Sequence, residues 1–192
     1  MLLSGILEFF LGNTFPFVVF TSFGGFFLSL GATFTPALDA GGTFVTALNG
    51  TLHAPPTIPS ATLANPLFDT SYGFFMLFMA LLSMIYLILA LRTNIVFVLI
   101  FLGLFMTFAF LTGTHWQRST NNIILANRLQ VASGAWGFVA CAAGWYIFVS
   151  QMLTALDFPF SLPVGDLSHL IKGGTELEAE RAKGPSYPVL SV

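Results

Sequence analysis

Long apolar runs alternate with short polar segments along this chain of 192 residues. Four runs are long enough to cross a bilayer as a helix, which takes about 20 apolar residues. They cover residues 15–34, 72–91, 95–113 and 129–156, and none contains Asp, Glu, Lys or Arg. Because one charge at the centre of such a helix costs about 3 kcal/mol on insertion scales, this pattern predicts membrane insertion.

The runs predict helices rather than a membrane β-barrel, because they are continuously apolar and lack a barrel's short alternating segments. Residues 1–11 are also apolar but too short to span, and we interpret them as the end of a helix. The predicted fold class is therefore all-α and integral to the membrane. It has four complete transmembrane helices plus an N-terminal partial helix of an originally six-helix bundle.

The segments between the runs predict the topology. Residues 35–71 are rich in proline and lack Lys and Arg, which is typical of an extended loop. Arg92-Thr93-Asn94 is a tight turn between the second and third spans. The C-terminal tail covers residues 157–192, and with four spans it lies on the same side as this turn. The basic residues on that side are Arg92, Lys172, Arg181 and Lys183, and those on the other side are Arg118 and Arg128. The positive-inside bias predicts a cytoplasmic tail and an external loop.

Composition agrees with this interpretation and excludes several classes of function. Charged residues make up 7% of the chain, against roughly 25% in soluble domains. The formal net charge is −2 and no basic cluster is present, so we expect the lipid bilayer, and not nucleic acid, as a partner. No motif pairs a nucleophile with a base, cradles a phosphate or has metal-ligand spacing. The sequence therefore predicts no enzyme, no cofactor and no metal site.

Asp, Glu, His, Lys and Arg lie only outside the four runs. We therefore expect neither a side-chain proton relay nor a cation-binding cage within the spans. His53, His115 and His169 are interpreted as solvated or interfacial residues. Asp157 and Asp166, which follow the last run, are interpreted as residues that cap local structure.

Small residues recur at helical spacing in the first and last runs. The first stripe includes Ser22, Gly25 and Ser29, and the last includes Ser133, Gly137, Ala140 and Gly144. Small-xxx-small spacing favours close helix packing in lipid, where the hydrophobic effect does not drive helices together. The alternative interpretation is a lumen whose hydroxyls replace part of a solute's water shell. The two interpretations are compatible, and the pattern leaves both open.

A single N-glycosylation sequon, Asn49-Gly50-Thr51, lies in the long loop. Because that loop is predicted to face outward, a glycosylating enzyme would reach it. The sequence therefore predicts Asn49 as a glycosylation site.

Five segments together resemble the acetate uptake transporter family, which includes a bacterial succinate–acetate permease and fungal acetate and ammonia-export proteins. The segments are "LLSGILEFFLGNTF" at residues 2–15, "FTSFGGFFLSLGAT" at 20–33, "LRTNIVFVLIFL" at 91–102, "ASGAWGFVACAAGWY" at 132–146 and "LDFPFSLPVGDLS" at 156–168. The resemblance is nearest to the fungal branch.

This resemblance implies six membrane helices in a plasma-membrane homohexamer, with cytoplasmic termini and one solute path per protomer. It implies transport of acetate and related small monocarboxylates, often coupled to protons. The family's Asn-Pro-Ala-Pro-Leu-Gly signature, at its first helix, is missing here. The resemblance therefore leads us to expect an N-terminally truncated member.

The family's hydrophobic constriction falls, by resemblance, on Phe23 and Leu104. Phe23 stands in the stretch Thr21-Ser22-Phe23-Gly24, where the family has tyrosine. Thr21, Ser22 and Ser29 are expected to line the path with them. The mechanism implied is hydrophobic gating, in which a narrow apolar ring excludes hydrated ions.

Two other functions stay open at this point. Ammonia or ammonium export occurs in the same family, although spans without carboxylates favour an anion or a neutral acid over a cation. A non-transporting tetraspan structural protein would also explain the small-residue packing.

Overall fold

The computed structural model describes residues 1–38, 40 and 66–167, together with residues 174, 178 and 182. The helices in these ranges are α1 (Leu2–Phe10), α2 (Thr14–Thr33), α3 (Pro66–Ala90), α4 (Ile95–Ser119) and α5 (Ile123–Ala155), with a 3-10 turn at Pro36–Leu38. Helices α2 to α5 are each long and apolar enough to cross a membrane. The predicted fold class, an all-α integral membrane protein, is confirmed.

Three of the helices extend beyond the apolar runs that predicted them. Helix α3 begins at Pro66 rather than at residue 72, α4 continues to Ser119 rather than ending at 113, and α5 begins at Ile123 rather than at 129. Hydropathy marks only the part of a helix suited to lipid, whereas the backbone hydrogen bonds continue through polar residues. As a consequence, Asp69 and His115 lie inside helices.

A residue in the left-handed backbone region ends each of three helices. These residues are Gly12 after α1 (φ 79°), Asn121 after α4 (φ 60°) and Asp157 after α5 (φ 53°). At α1, the amide of Asn13 donates to the carbonyl of Glu8 (3.0 Å) and that of Gly12 to Phe9 (3.1 Å), which is a Schellman motif. The same pair of bonds occurs at the other two ends. Asp157 thus caps α5 through its backbone.

The chain divides into two compact units. Unit 1 contains Met1–Ala80 and Thr107–Ala135, and unit 2 contains Leu81–Met106 and Trp136–Val192. Helices α1 and α2 belong to unit 1, whereas α3, α4 and α5 contribute residues to both units.

In unit 1, α1 packs on α2 through glycines. A methyl group built at Gly24 would lie 2.8 Å from Cγ of Leu2 and 3.1 Å from its backbone nitrogen. A methyl group at Gly25, the residue selected by the sequence stripe, would meet no atom of the described chain within 4 Å outside its own helical surroundings. The close approach of α1 therefore depends on Gly24.

In unit 2, α4 and α5 approach most closely at Gly103. A methyl group built there would lie 2.8 Å from Cβ of Ala140 and 3.1 Å from its backbone nitrogen. Ala140 is buried and Gly137 is half-buried, whereas a methyl group at Gly144 would meet nothing within 4 Å in the described chain. The predicted stripe on α5 is thus only partly covered within this chain.

The chain after α5 returns to the start of α4, also within unit 2. The amide of Ile95 donates to the carbonyl of Gly165 (2.9 Å), and the amide of Leu167 donates to the carbonyl of Thr93 (3.0 Å). Gly165 has φ 65°, and a methyl group there would lie 2.7 Å from Cδ1 of Ile95, so this position requires glycine. Residues 165–167 of the predicted tail therefore pack against the start of α4 within unit 2.

Candidate functional site

An aromatic cluster in unit 1 consists of Phe23, Phe26, Phe75 and Phe108. Phe23 of α2 stacks on Phe108 of α4 with ring centroids 6.4 Å apart. Phe26 meets Phe108 edge-on at 5.1 Å and stacks on Phe75 of α3 at 5.5 Å. Phe23, Phe26 and Phe108 are 3%, 6% and 5% exposed, where exposure means surface left uncovered by the described chain. Rings from α3 and α4 thus meet at Phe26 of α2, and Phe23 joins this cluster through Phe108.

Helical spacing alone does not explain which phenylalanines of α2 are buried. Phe26 and Phe27 lie three and four residues after Phe23 and so are both near its face, yet Phe26 is 6% exposed and Phe27 is 50% exposed. Sequence reasoning identified Phe23 but missed Phe26, Phe75 and Phe108. The spacing from Phe23 selects Phe26 and Phe27 alike, and nothing in the sequence singles out partners on α3 and α4 in a chain with 23 phenylalanines.

The hydroxyl residues expected beside Phe23 point in different directions. Positions 21 and 23 lie on opposite sides of a helix, and Thr21 Oγ1 lies 2.5 Å from a methyl group built at Gly5 of α1. The hydroxyl of Ser22 donates to the carbonyl of Val19 (3.0 Å), and Ser29 is exposed. Thr21 therefore faces α1, away from the aromatic cluster.

Leu104, the second residue expected at the constriction, belongs to unit 2. It is half-buried and directly follows Gly103, the residue of closest contact between α4 and α5. Unit 2 has its own aromatic contact, in which the buried rings of Tyr86 and Phe101 lie 5.6 Å apart.

An acid–imidazole pair connects α3 and α4 in unit 1. His115 Nδ1 lies 2.7 Å from Asp69 Oδ1, and the two side chains are 12% and 11% exposed. The ring of Tyr72 packs edge-on against the imidazole, with centroids 5.1 Å apart. Of the two interpretations of His115, solvated or interfacial, the first is wrong, because α4 extends past residue 113 and brings its side chain against α3. The interfacial interpretation stays a prediction.

The four apolar runs contain no carboxylate or histidine, but the candidate spans Pro66–Ala90 and Ile95–Ser119 are longer than those runs and include Asp69 and His115. A signal for this was present in the sequence. Pro66 at the first helical position and Asp69 in the first turn are both typical of a helix start. His53, His169 and Asn49 lie outside the described residues.

In the ranges 1–38 and 66–167, no group of three or more His, Cys, Asp or Glu side chains is placed to hold a metal ion. Among the described residues of unit 1, the Asp69–His115 pair joins an acidic and an imidazole side chain across two helices.

The amino-acid sequence is similar to known proteins over most of its length. The GPR1/FUN34/yaaH family profile matches residues 1–169. Protein alcS of Aspergillus fumigatus is 42% identical over 168 residues, which are 88% of this chain and 59% of that protein. Acetate permease A of Emericella nidulans is 28% identical over 163 residues, 85% of this chain and 50% of that protein.

A third relative, ammonia transport outward protein 3 of Saccharomyces cerevisiae, is 29% identical over 147 residues, 76% of this chain and 44% of that protein. The chain thus spans between 44% and 59% of the length of these relatives. No solved structure matches it at a significant level. With a profile match from its first residue to residue 169, and with the resemblance carried by its sequence segments, the chain belongs to the GPR1/FUN34/yaaH family.

Proposed function

We propose that the protein transports acetate and related small monocarboxylates across the membrane through a path gated by the aromatic cluster. The observation that carries this proposal is the burial of Phe23 against Phe108, in a cluster whose rings come from three helices. By resemblance, Phe23 is also the constriction residue. A narrow apolar passage excludes ions that keep their water shell, while a small acid that sheds water passes when the rings move.

Leu104 is proposed as the second constriction residue, on the basis of the resemblance. Ser22 and Ser29 remain proposed path residues, and Thr21 is proposed only at the edge of the path because it faces α1. The resemblance and the distribution of basic residues support a homohexamer in the plasma membrane with a cytoplasmic C-terminus.

Ammonium is the second candidate substrate, and the names of two relatives bear on the choice. One is an acetate permease at 28% identity, and another is an ammonia export protein at 29%. Because these identities are equal in practice, they do not decide between the two solutes. The transport assay therefore needs one arm for acetate and one for methylammonium.

Uptake of radiolabelled acetate, succinate and methylammonium into proteoliposomes tests the proposal. We expect acetate uptake above that of protein-free liposomes. Phe23→Ala should raise the succinate-to-acetate ratio several-fold, because removing a ring widens the constriction. Phe78→Ala is the matched control, because it also removes a phenylalanine ring but Phe78 of α3 is 66% exposed, and the ratio should stay unchanged.

Three results would contradict this proposal, each in a different way. Methylammonium uptake without acetate uptake would assign the export function instead. No uptake of any solute would favour a structural protein. Acetate uptake with the same substrate ratio in Phe23→Ala and the unmodified protein would remove the aromatic cluster from the path.

A further inference from the structure

We propose that Asp69 and His115 form a proton-binding site that couples protonation to passage of a carboxylate anion. This inference rests on the proposed transport function. It concerns a part of unit 1 beside the aromatic cluster, since the ring of Tyr72 packs on His115 and lies 5.4 Å from that of Phe75. The two ionisable side chains there are nearly covered by the chain and bonded to each other.

The geometry favours a charged pair. Asp69 lies in the first turn of α3, where the helix dipole stabilises a negative charge. His115 lies near the end of α4, where the dipole stabilises a positive charge. The separation of 2.7 Å between Nδ1 and Oδ1 is typical of a charge-assisted hydrogen bond.

Proton binding changes the net charge of this pair. With a neutral imidazole, Nδ1–H donates to the carboxylate and the pair carries one negative charge. When Nε2 also binds a proton, the pair is neutral overall. An unperturbed imidazole changes charge between about pH 5 and 8, which is the range over which the proposal is tested.

Four other titratable or charged side chains lie in the described part of unit 1, and one of them touches the pair. Tyr72 is the titratable side chain that packs on the imidazole. Arg118, one turn after His115 on α4, donates to Oε1 of Gln130 on α5. Glu8 accepts a bond from Asn13 (2.7 Å) next to α1, and Arg128 of α5 is exposed.

A pair with one negative charge repels a carboxylate anion, and a neutral pair does not. Proton binding at the site and anion binding in the path therefore favour each other, and by linkage the effect is reciprocal. This differs from passage of the neutral acid, in which the proton travels on the solute and needs no protein group.

Two substitutions with opposite effects test the site. Acetate uptake is measured in proteoliposomes with equal internal and external pH, at about pH 6 and about pH 7.5, which bracket imidazole titration. The unmodified protein should be several-fold faster at the lower pH after subtraction of protein-free liposomes. Asp69→Asn removes the negative charge permanently, so its rate should stay high at both values. His115→Gln leaves the carboxylate unneutralised, so its rate should be several-fold lower at the acidic value.

Asp157→Asn is the matched control. It removes an exposed carboxylate in unit 2, at a left-handed position that asparagine also accepts, and should behave like the unmodified protein. If all four proteins show the same pH dependence, the proton travels on the solute and the inference is overturned. Equal loss of uptake in both pair variants at both pH values would likewise overturn it, because a merely structural pair predicts that result.

A binding measurement separates this inference from the transport proposal. In a His53→Gln/His169→Gln variant labelled with ¹⁵N-histidine, His115 is titrated by NMR in chloride and in acetate. We expect acetate to move the titration midpoint to higher pH, even in a protein that fails to transport. An unchanged midpoint would overturn the inference while leaving measured acetate uptake intact.

Discussion

Ser133 and Thr107 join two membrane helices through hydroxyls in unit 1. The hydroxyl of Ser133 donates to the carbonyl of Thr107 (3.0 Å), and that of Thr107 donates to the carbonyl of Ser133 (3.4 Å). Ser133 is 3% exposed, so its hydroxyl has little other opportunity to bond. The sequence predicted Ser133 as a packing residue because of its small size. The partner of its hydroxyl is evident only from the structure, since Thr107 lies on a different helix.

Removing this hydroxyl should destabilise the helix pair. Ser133→Ala is expected to lower the free energy of unfolding by about 1 kcal/mol, because interhelical hydrogen bonds in membranes contribute about 0.6 to 1.7 kcal/mol. The measurement is an SDS unfolding titration in mixed micelles. Thr35→Ala is the control, because that exposed hydroxyl donates to a carbonyl four residues earlier (2.8 Å). Equal effects of the two substitutions would show that the bond between α4 and α5 contributes nothing specific.

At the level of the helices, α4 and α5 approach closely within unit 2 because Gly103 packs against Ala140. The predicted small-residue stripe correctly includes Ala140, but its partner glycine lies in a run with no obvious small-residue stripe. Gly144, in the same stripe, is open within the chain. A stripe identifies a face suited to packing, but it does not say which positions a neighbour covers.

A side chain at Gly103 should force α4 and α5 apart. Gly103→Ala is expected to cost about 1 to 3 kcal/mol of unfolding free energy, because backbone atoms of Ala140 obstruct the new methyl group. Gly144→Ala should change it by less than about 0.5 kcal/mol. Thermal unfolding in detergent, followed by circular dichroism, measures both. Should the two substitutions prove equally costly, the contact at Gly103 would not be the one that holds these helices together.

Orientation in the membrane is a property of the whole molecule, and its prediction rests on the basic residues that flank the apolar runs. Arg92 lies in the turn between α3 and α4, whereas Arg118 and Arg128 lie near the helix ends on either side of the turn between α4 and α5. These two turns lie at opposite ends of α4, so the two sets of basic residues favour opposite orientations. Because the C-terminal tail adds further basic residues to the side of Arg92, the prediction is a cytoplasmic tail and an external loop before α3.

Glycan attachment at Asn49 would report this orientation directly. In yeast, the protein should migrate faster on gels after endoglycosidase treatment, because the loop is predicted to face the lumen of the secretory pathway. Thr51→Ala destroys the sequon and should remove the shift, whereas Thr51→Ser preserves it. The predicted topology would be wrong if two results occurred together. The unmodified protein would show no shift, and a protease outside sealed right-side-out vesicles would remove a C-terminal tag.

Run length and missing charges were sufficient to predict four spanning helices, because lipid forces each segment to satisfy its own backbone hydrogen bonds. That constraint acts within each segment, so consecutive residues are sufficient to predict the helix. The aromatic cluster around Phe23 and the Asp69–His115 pair depend instead on contacts between helices, the latter across 46 positions of sequence. Such contacts depend on how well whole helix faces fit together, and the hydropathy of each helix does not indicate which faces meet.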